Sequence, residues 1–214
     1  MLSVLNGITR VLVLCAHTDD EFGCAGTMVR LIERGIEVRY LALSRCEESV
    51  PAGLPADVLE HECRACLQAI GVASAGIEVG DFPVRHFPNY RQAILERLYK
   101  LNQQYEPDVV LLPSSFDNHQ DHATVYAEGF RAFKRSTLLG YELPQNVTAF
   151  ENSAFVCLAQ AQLTHKIDAL SHYRSQGFRS YAAPAYIEGL ARVRGVQCGS
   201  AFAEAFEAIR VIIR

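Results

Sequence analysis

The sequence predicts a three-layer α/β domain built on a mainly parallel sheet, and three observations carry that expectation. Apolar runs at 11–16 and 107–113 are short and β-branched and do not alternate in polarity, the pattern of strands buried on both faces. Segments with helical spacing of apolar residues stand between successive strand patterns, as the crossovers of a parallel sheet require. Glycines close two of those helical segments, at Gly35 and Gly71, where a helix end favours a left-handed residue.

Taken in order, the strand at 11–16 runs directly into His17-Thr18-Asp19-Asp20-Glu21. A helix over 23–34 and a strand over 36–43 complete one βαβ unit. Residues 44–55, with Pro51, Gly53 and Pro55, form a loop at the carboxyl end of that second strand. The next helix, 57–70, places Leu59, Cys63, Cys66, Leu67 and Ile70 on one face and leads to a short strand around 76–82. A helix over 91–105, with Ile94, Leu95, Leu98 and Leu101 at helical spacing, precedes the strand at 107–113. The helix at 121–133 carries His122 in its first turn and leaves His119 in the loop before it. Strands at 137–141 and 154–158, helices at 161–176 and 186–194, and a last strand at 208–213 finish the pattern. With no repeat, low-complexity tract or linker, residues 1–214 read as one domain.

Composition narrows the function classes. The chain has 214 residues, 50% of them hydrophobic and 21% charged, with a net charge of -4, enough apolar material for one well-buried core. No concentrated basic face is encoded, which argues against nucleic acid or anionic membrane as partners. The apolar start, 1–16, is interrupted by Arg10, lacks a small-residue cleavage site and feeds straight into the His17 cluster, so it reads as mature chain rather than a leader. No run approaches the ~18 apolar residues of a membrane span. Seven cysteines, an odd number scattered through strands and helices, fit reduced thiols in a cytoplasmic protein. Cys63 and Cys66 form a lone CxxC inside a helical pattern and read as packing.

The chemistry concentrates in two clusters, His17-Thr18-Asp19-Asp20-Glu21 and His119-Gln120-Asp121-His122, each just past a buried strand. In open α/β sheets the loops at strand carboxyl ends converge on ligands. His17, Asp20 and His122 supply the two imidazoles and one carboxylate that suit a catalytic Zn2+ with an open fourth position. Asp19, beside a ligand but not needed as one, is placed to act as general base on a water whose pKa the metal lowers from 15.7 toward ~7. His119, if cationic, would meet the negative charge that develops on a substrate carbonyl and then protonate a departing amine, with Asp121 or Asp117 holding it in position. Glu21 reads as a support for the ligands. The isolated His61, His86, His165 and His172 read as surface or hydrogen-bonded structural residues.

The two clusters resemble the AHPDDE and HxDH motifs of the LmbE-like, or PIG-L, de-N-acetylase family, standing here as Ala16-His17-Thr18-Asp19-Asp20-Glu21 and His119-Gln120-Asp121-His122. The likeness extends to Glu62 and Arg64 before Ala69-Ile70-Gly71, to His172 and Ser175-Gln176, and to Ala203-Glu204-Ala205-Phe206. It implies a Rossmann-like three-layer α/β/α sandwich with a mainly parallel sheet. It further implies zinc on His17, Asp20 and His122, Asp19 as base, His119 as oxyanion partner with Asp121 behind it, and Arg64 on sugar hydroxyls. The implied substrate is an N-acetylglucosamine unit on a larger small molecule, hydrolysed to acetate and free amine, and self-association is a further expectation of the resemblance. One departure is Thr18, where the family has proline, which alters the local loop.

The loop 44–55, Arg85, His86, Tyr141-Glu142 and Arg179 through Tyr181 are candidates to face the substrate. Two other readings compete: an amidase acting on a sugar-thiol conjugate, and a non-catalytic sugar- or metal-binding protein on the same scaffold. The spare base and acid, Asp19 and His119, favour catalysis.

Overall fold

The computed structural model describes residues 7–213, so the reading of residues 1–6 as mature chain lies outside the described residues. Its axis is β1 (Arg10–Cys15), whose lack of alternation is explained by apolar demand on both sides. Val11, Val13 and Cys15 enter one hydrophobic core, while Leu12, Leu14 and the following Ala16 enter another. The strand β4 (Val109–Pro113) divides the same way, Val109 and Leu111 against Val110 and Leu112. A strand that must supply two cores has no polar face to show.

These two strands sit side by side at the centre of a seven-stranded sheet. With β2 (Glu37–Ala42), β3 (Ile77–Val79), β5 (Thr137–Tyr141), β6 (Ala154–Leu158) and β7 (Phe202–Arg210), the order is β3-β2-β1-β4-β5-β7-β6. The first five are parallel, with Val13 opposite Tyr40 on one side and Leu111 on the other. Only β7 runs antiparallel to its neighbours β5 and β6. After β1 the chain builds outward on one side and then returns to place β4 on the other, so the order reverses between β1 and β4. That reversal opens a crevice at their carboxyl ends, where both chemical clusters lie.

Helices cover both faces. On one side α1 (Ala25–Glu33), α2 (Val58–Ile70), α5 (Gln160–Leu170) and α6 (Pro184–Cys198) bury Met28, Leu67, Leu163 and Ile187. On the other, α3 (Arg91–Tyr105) and α4 (Gln120–Ala132) bury Ile94, Leu98 and Val125. Among the described residues no helix is long and apolar enough to cross a membrane.

Four boundaries differ from the sequence expectation. β3 stops at Val79, although the chain stays against the end of β2, with the Gly80 N–H donating to the Ala42 carbonyl (2.8 Å) and the Phe82 N–H to the Leu43 carbonyl (3.1 Å). The helix expected over 161–176 ends at Leu170, and residues Arg174–Gln176 form a separate tight turn held by Glu62, which accepts from Ser175 N–H (2.9 Å) and Oγ (2.5 Å). α6 is longer than 186–194: Pro184 fits its first turn and Gly199, at φ 72, closes it. β7 begins at Phe202 rather than 208 and ends at Arg210. Its Ala- and Glu-rich opening is a weak strand signal, overridden by burial of Phe202, Ala203, Ala205 and Phe206 between two partner strands.

Glu204 on β7 fixes the start of α1. Its carboxylate accepts from Gly26 N–H (2.9 Å), Thr27 N–H (2.6 Å) and Thr27 Oγ1 (2.6 Å), satisfying donors that a helix start leaves open. Lys166 on α5 donates to Glu204 Oε1 (2.6 Å) and to the Phe22 carbonyl (2.7 Å), so the pair braces the turn between β1 and α1. Both side chains are buried, at 7% and 5% exposure, and removing one partner strands the other's charge. Glu204→Ala is therefore expected to lose about 3–5 kcal/mol. Thermal unfolding should show Tm falling by roughly 6–20 °C; a fall below about 2 °C would mean that the pair does not brace this turn.

Candidate active site and metal centre

Past β1 the chain doubles back through the tight turn Asp20–Gly23, which brings the Asp20 carboxylate over the strand end. Its Oδ2 accepts from the N–H groups of Ala16 (2.9 Å) and His17 (2.8 Å). Oδ1 is thereby left facing His17 Nδ1 at 3.7 Å and His122 Nε2 at 3.3 Å. The two imidazole nitrogens are themselves 3.0 Å apart. A zinc ion with bonds of about 2.0–2.1 Å holds tetrahedral N and O ligands about 3.3–3.4 Å from one another, so these three atoms have the right chemistry and span. His119 offers another ring nitrogen, and His17, His119 and His122 together form a group whose ligand atoms all lie within 4.8 Å. The set with Asp20 is the tighter one.

The outward nitrogens of both histidines are occupied as a metal ligand requires. His17 Nε2 meets Asp121 Oδ2 at 3.0 Å, and His122 Nδ1 meets Asp117 Oδ2 at 2.7 Å. Each carboxylate fixes its ring and raises its basicity. Asp121 is in turn pinned by the backbone N–H groups of Arg85 (2.5 Å) and Phe87 (3.1 Å), and Asp117 Oδ1 accepts from the His119 N–H (2.8 Å). Neither carboxylate hydrogen-bonds to the His119 ring, which corrects the expectation that Asp121 or Asp117 orients it. His119 is the N-cap of α4, and its Nδ1 accepts from the Asp121 N–H at 3.2 Å. Asp121, already inside the helix, projects toward His17 instead.

Protonation follows from this arrangement. Burial would raise Asp20, but the imidazoles of His122 and His17 outweigh it and hold the carboxyl far below the usual range. Burial would lower His122, yet Asp20 and Asp117 lift it to about 10. Asp19 moves the other way: burial, reinforced by the charge of Asp20, raises it. Burial, then the charges of His122 and His17, keep His119 below its ordinary value. Because Nδ1 accepts from the Asp121 N–H, Nε2 is the ring nitrogen left to donate. Glu21 lies beneath the loop, raised to about 8 chiefly by burial, with the hydroxyls of Tyr40 (3.0 Å) and Tyr173 (2.5 Å) donating to it. Thr18 is also buried, and its hydroxyl has no hydrogen-bond partner among the described residues.

An open cleft of about 230 Å³ exposes His17, Asp19, Asp20, His119 and His122. Of the segments expected to face it, the 44–55 loop contributes Cys46 and Ser49, and Arg85, Arg179 and Tyr181 also line it. His86, Tyr141, Glu142 and Arg64 do not. Tyr141 is buried with its hydroxyl on the Leu14 carbonyl (3.3 Å), and Glu142 pairs with Arg194. The Arg64 guanidinium is held by Glu60 (2.9 Å) one turn away on α2, beside the Ile77 carbonyl at 3.4 Å, so the structure does not bring it to the cleft. Sequence reasoning missed Gln145 and Asn146, which enter through the turn after β5. Asn146 Nδ2 lies 3.3 Å from Asp117 Oδ2; no local motif announces it.

Residues 12–133 match the family model for GlcNAc-PI de-N-acetylase, PIG-L. An uncharacterized deacetylase, YaiS, of Escherichia coli (strain K12) is 27% identical over 183 residues, 82% of this chain and 96% of that protein. In fold, the chain is similar to the N,N'-diacetylchitobiose deacetylase of Pyrococcus horikoshii (TM-score 0.79, 18% identity, 96% of this chain and 85% of that one). It is also similar to GalB, the 4-carboxy-2-hydroxymuconate hydratase of Pseudomonas putida KT2440 (TM-score 0.75, 17% identity, 97% and 98%).

The donor set should bind one Zn2+ per chain in a chelator-competition titration. Asp121→Asn and Asp117→Asn, which spare the ligands but disturb the rings behind them, are expected to weaken that affinity by about 10–100-fold without altering the circular dichroism spectrum. Unchanged affinity in both variants would remove these carboxylates from the metal centre.

Proposed function

Because the chain belongs to the GlcNAc-PI de-N-acetylase (PIG-L) family, we propose that it is a zinc-dependent amide hydrolase. In this reading it removes the N-acetyl group from an N-acetylglucosamine-type amino sugar within a larger conjugate, releasing acetate and the free amine. The observation that carries the proposal is the state of Asp19. Every other carboxylate of the centre is committed: Asp20 to two backbone N–H groups, Asp121 to His17 and two more, Asp117 to His122 and His119. Asp19 lines the cleft, and among the described residues its carboxylate has one long side-chain contact, 3.4 Å from the Tyr181 hydroxyl. A pure binding site has no use for a free, raised-pKa carboxylate beside its ligands, whereas a hydrolase needs one as base.

His17, Asp20 and His122 would hold the metal. When bound, zinc supplies Lewis acidity toward the acetamide carbonyl and lowers the pKa of a coordinated water toward ~7. Asp19 then takes a proton from the attacking water. His119, whose Nδ1 is taken by the Asp121 N–H, would offer Nε2–H to the carbonyl oxygen as its negative charge grows, the electrostatic task of an oxyanion hole. The proton gathered by Asp19 is the one the departing amine requires, so the same carboxyl serves both steps. The reading includes a reduced, cytoplasmic setting, in keeping with free cysteines, five of them buried.

In zinc-loaded protein, amine release from N-acetylglucosamine conjugates, followed with fluorescamine, tests the proposal. Asp19→Asn should keep the metal and lose about 10²–10⁴ of kcat. His119→Ala should lower kcat by a comparable factor and change KM less, as for a group whose partner charge exists only in the transition state. Full hydrolysis by Asp19→Asn would overturn the base assignment, and a change in KM alone would make His119 a binding residue.

A further inference from the structure

We propose that Arg179 receives an oxyanion, a carboxylate or phosphate carried by the substrate, and so selects acidic amino-sugar conjugates. This rests on the deacetylase reading above and adds a feature to its substrate.

The segment 174–181 lines the same cleft as His17, Asp20 and His122. It is anchored from within by a relay in which Glu62 holds Ser175 (2.5 Å to Oγ), and Gln176, only 3% exposed, donates from Nε2 to Ser175 Oγ (3.2 Å). The amide oxygen of Gln176 then accepts from Arg179 Nε at 3.2 Å. Two residues further on, Tyr181 places its hydroxyl 3.4 Å from Asp19. One short stretch therefore sets a guanidinium and the proposed base on the same cleft, which Gln176, Arg179 and Tyr181 all line.

The state of that guanidinium differs from that of the other arginine on the cleft. Arg85, the other arginine of the cleft, is neutralised by Glu48 at 3.1 Å, and Arg64, Arg91, Arg131 and Arg194 are likewise paired with carboxylates. Among the described residues Arg179 has no ion-pair partner. It makes one hydrogen bond, from Nε, and its carbon lies 5.0 Å from the Phe178 ring centroid. Anchoring at Nε fixes the plane of the group and leaves both terminal nitrogens available. Two parallel N–H donors in a fixed plane match the two oxygens of a carboxylate or phosphate. A neutral sugar hydroxyl would use the donors without using the charge.

The test compares zinc-loaded wild-type chain with Arg179→Gln and Arg179→Lys, using methyl N-acetylglucosaminide as the neutral probe, N-acetylglucosamine 6-phosphate for phosphate and N-acetylmuramic acid for carboxylate. Calorimetry gives Kd for each, and fluorescamine gives amine release. At least one acidic sugar should bind about ten-fold or more tightly than the neutral one, as expected of a charge-assisted hydrogen-bonded pair. In Arg179→Gln that ratio should fall toward one while zinc content is kept, and Arg179→Lys should restore part of it. Which acidic probe shows the preference identifies the oxyanion. Equal binding of all three sugars, or a preference that survives in Arg179→Gln, overturns the assignment. Charge preference without amine release from any conjugate would count against the deacetylase reading and leave the anion site standing. Amine release without charge preference would do the reverse.

Discussion

Charge buried at the carboxyl ends of two adjacent strands is the constraint on which the rest of this molecule depends. β1 and β4 are apolar on both faces, so everything ionic that follows them lies against a low-dielectric core and must be satisfied there. The solution is layered. Asp20 is held by the amides of Ala16 and His17, the histidines by Asp121 and Asp117, and Asp121 by the amides of Arg85 and Phe87. Further out, Glu204 and Lys166 clamp the start of α1 and the Phe22 carbonyl, which sets the path of the loop bearing the ligands. Gly26 belongs to this arrangement: a Cβ there would stand 2.6 Å from Leu158 Cδ1 and 3.0 Å from Glu204 Oε1.

Backbone strain gathers at the same place. Three non-glycine residues among those described have positive φ, and two of them, Cys46 at 61° and Arg85 at 70°, line the cleft. Glu106, at 46°, closes α3. A left-handed conformation costs a residue with a side chain about 1–2 kcal/mol. At Arg85 it turns the N–H onto Asp121, so the carboxylate that orients His17 also stabilises the strained residue that holds it. The cleft wall and the candidate metal ligand His17 are therefore coupled through one carboxylate.

The scaffold does not choose the chemistry. A diacetylchitobiose deacetylase and a carboxylated-muconate hydratase both share this fold over nearly the whole chain. What distinguishes one use from another is which carboxylates remain uncommitted and which charges face the opening. Here, among the described residues, the cleft groups left without a close partner are the Asp19 carboxylate, Nε2 of His119 and the terminal nitrogens of Arg179.

The sequence by itself determined the α/β class, the two motif loops and part of the cleft wall, Arg85, Arg179 and Tyr181 but not His86, Tyr141 or Glu142, because buried-strand runs and helical spacing are local patterns, and His, Asp and Glu in tight spacing at strand ends have few structural uses. It misjudged β7, whose Ala- and Glu-rich opening is drawn into the sheet by long-range burial, and the helix after residue 170, which Glu62 interrupts from 113 positions away in the chain. It separated Asp20, as a ligand, from Asp19, as a base, but set Asp117 and Asp121 behind the wrong ring and Arg64 on the substrate; only the tertiary structure decided that Asp121 meets His17, that Asp117 meets His122 and that Arg64 is spent on Glu60. A side chain's role is set by which hydrogen bonds its neighbours complete, and those neighbours come from distant parts of the chain.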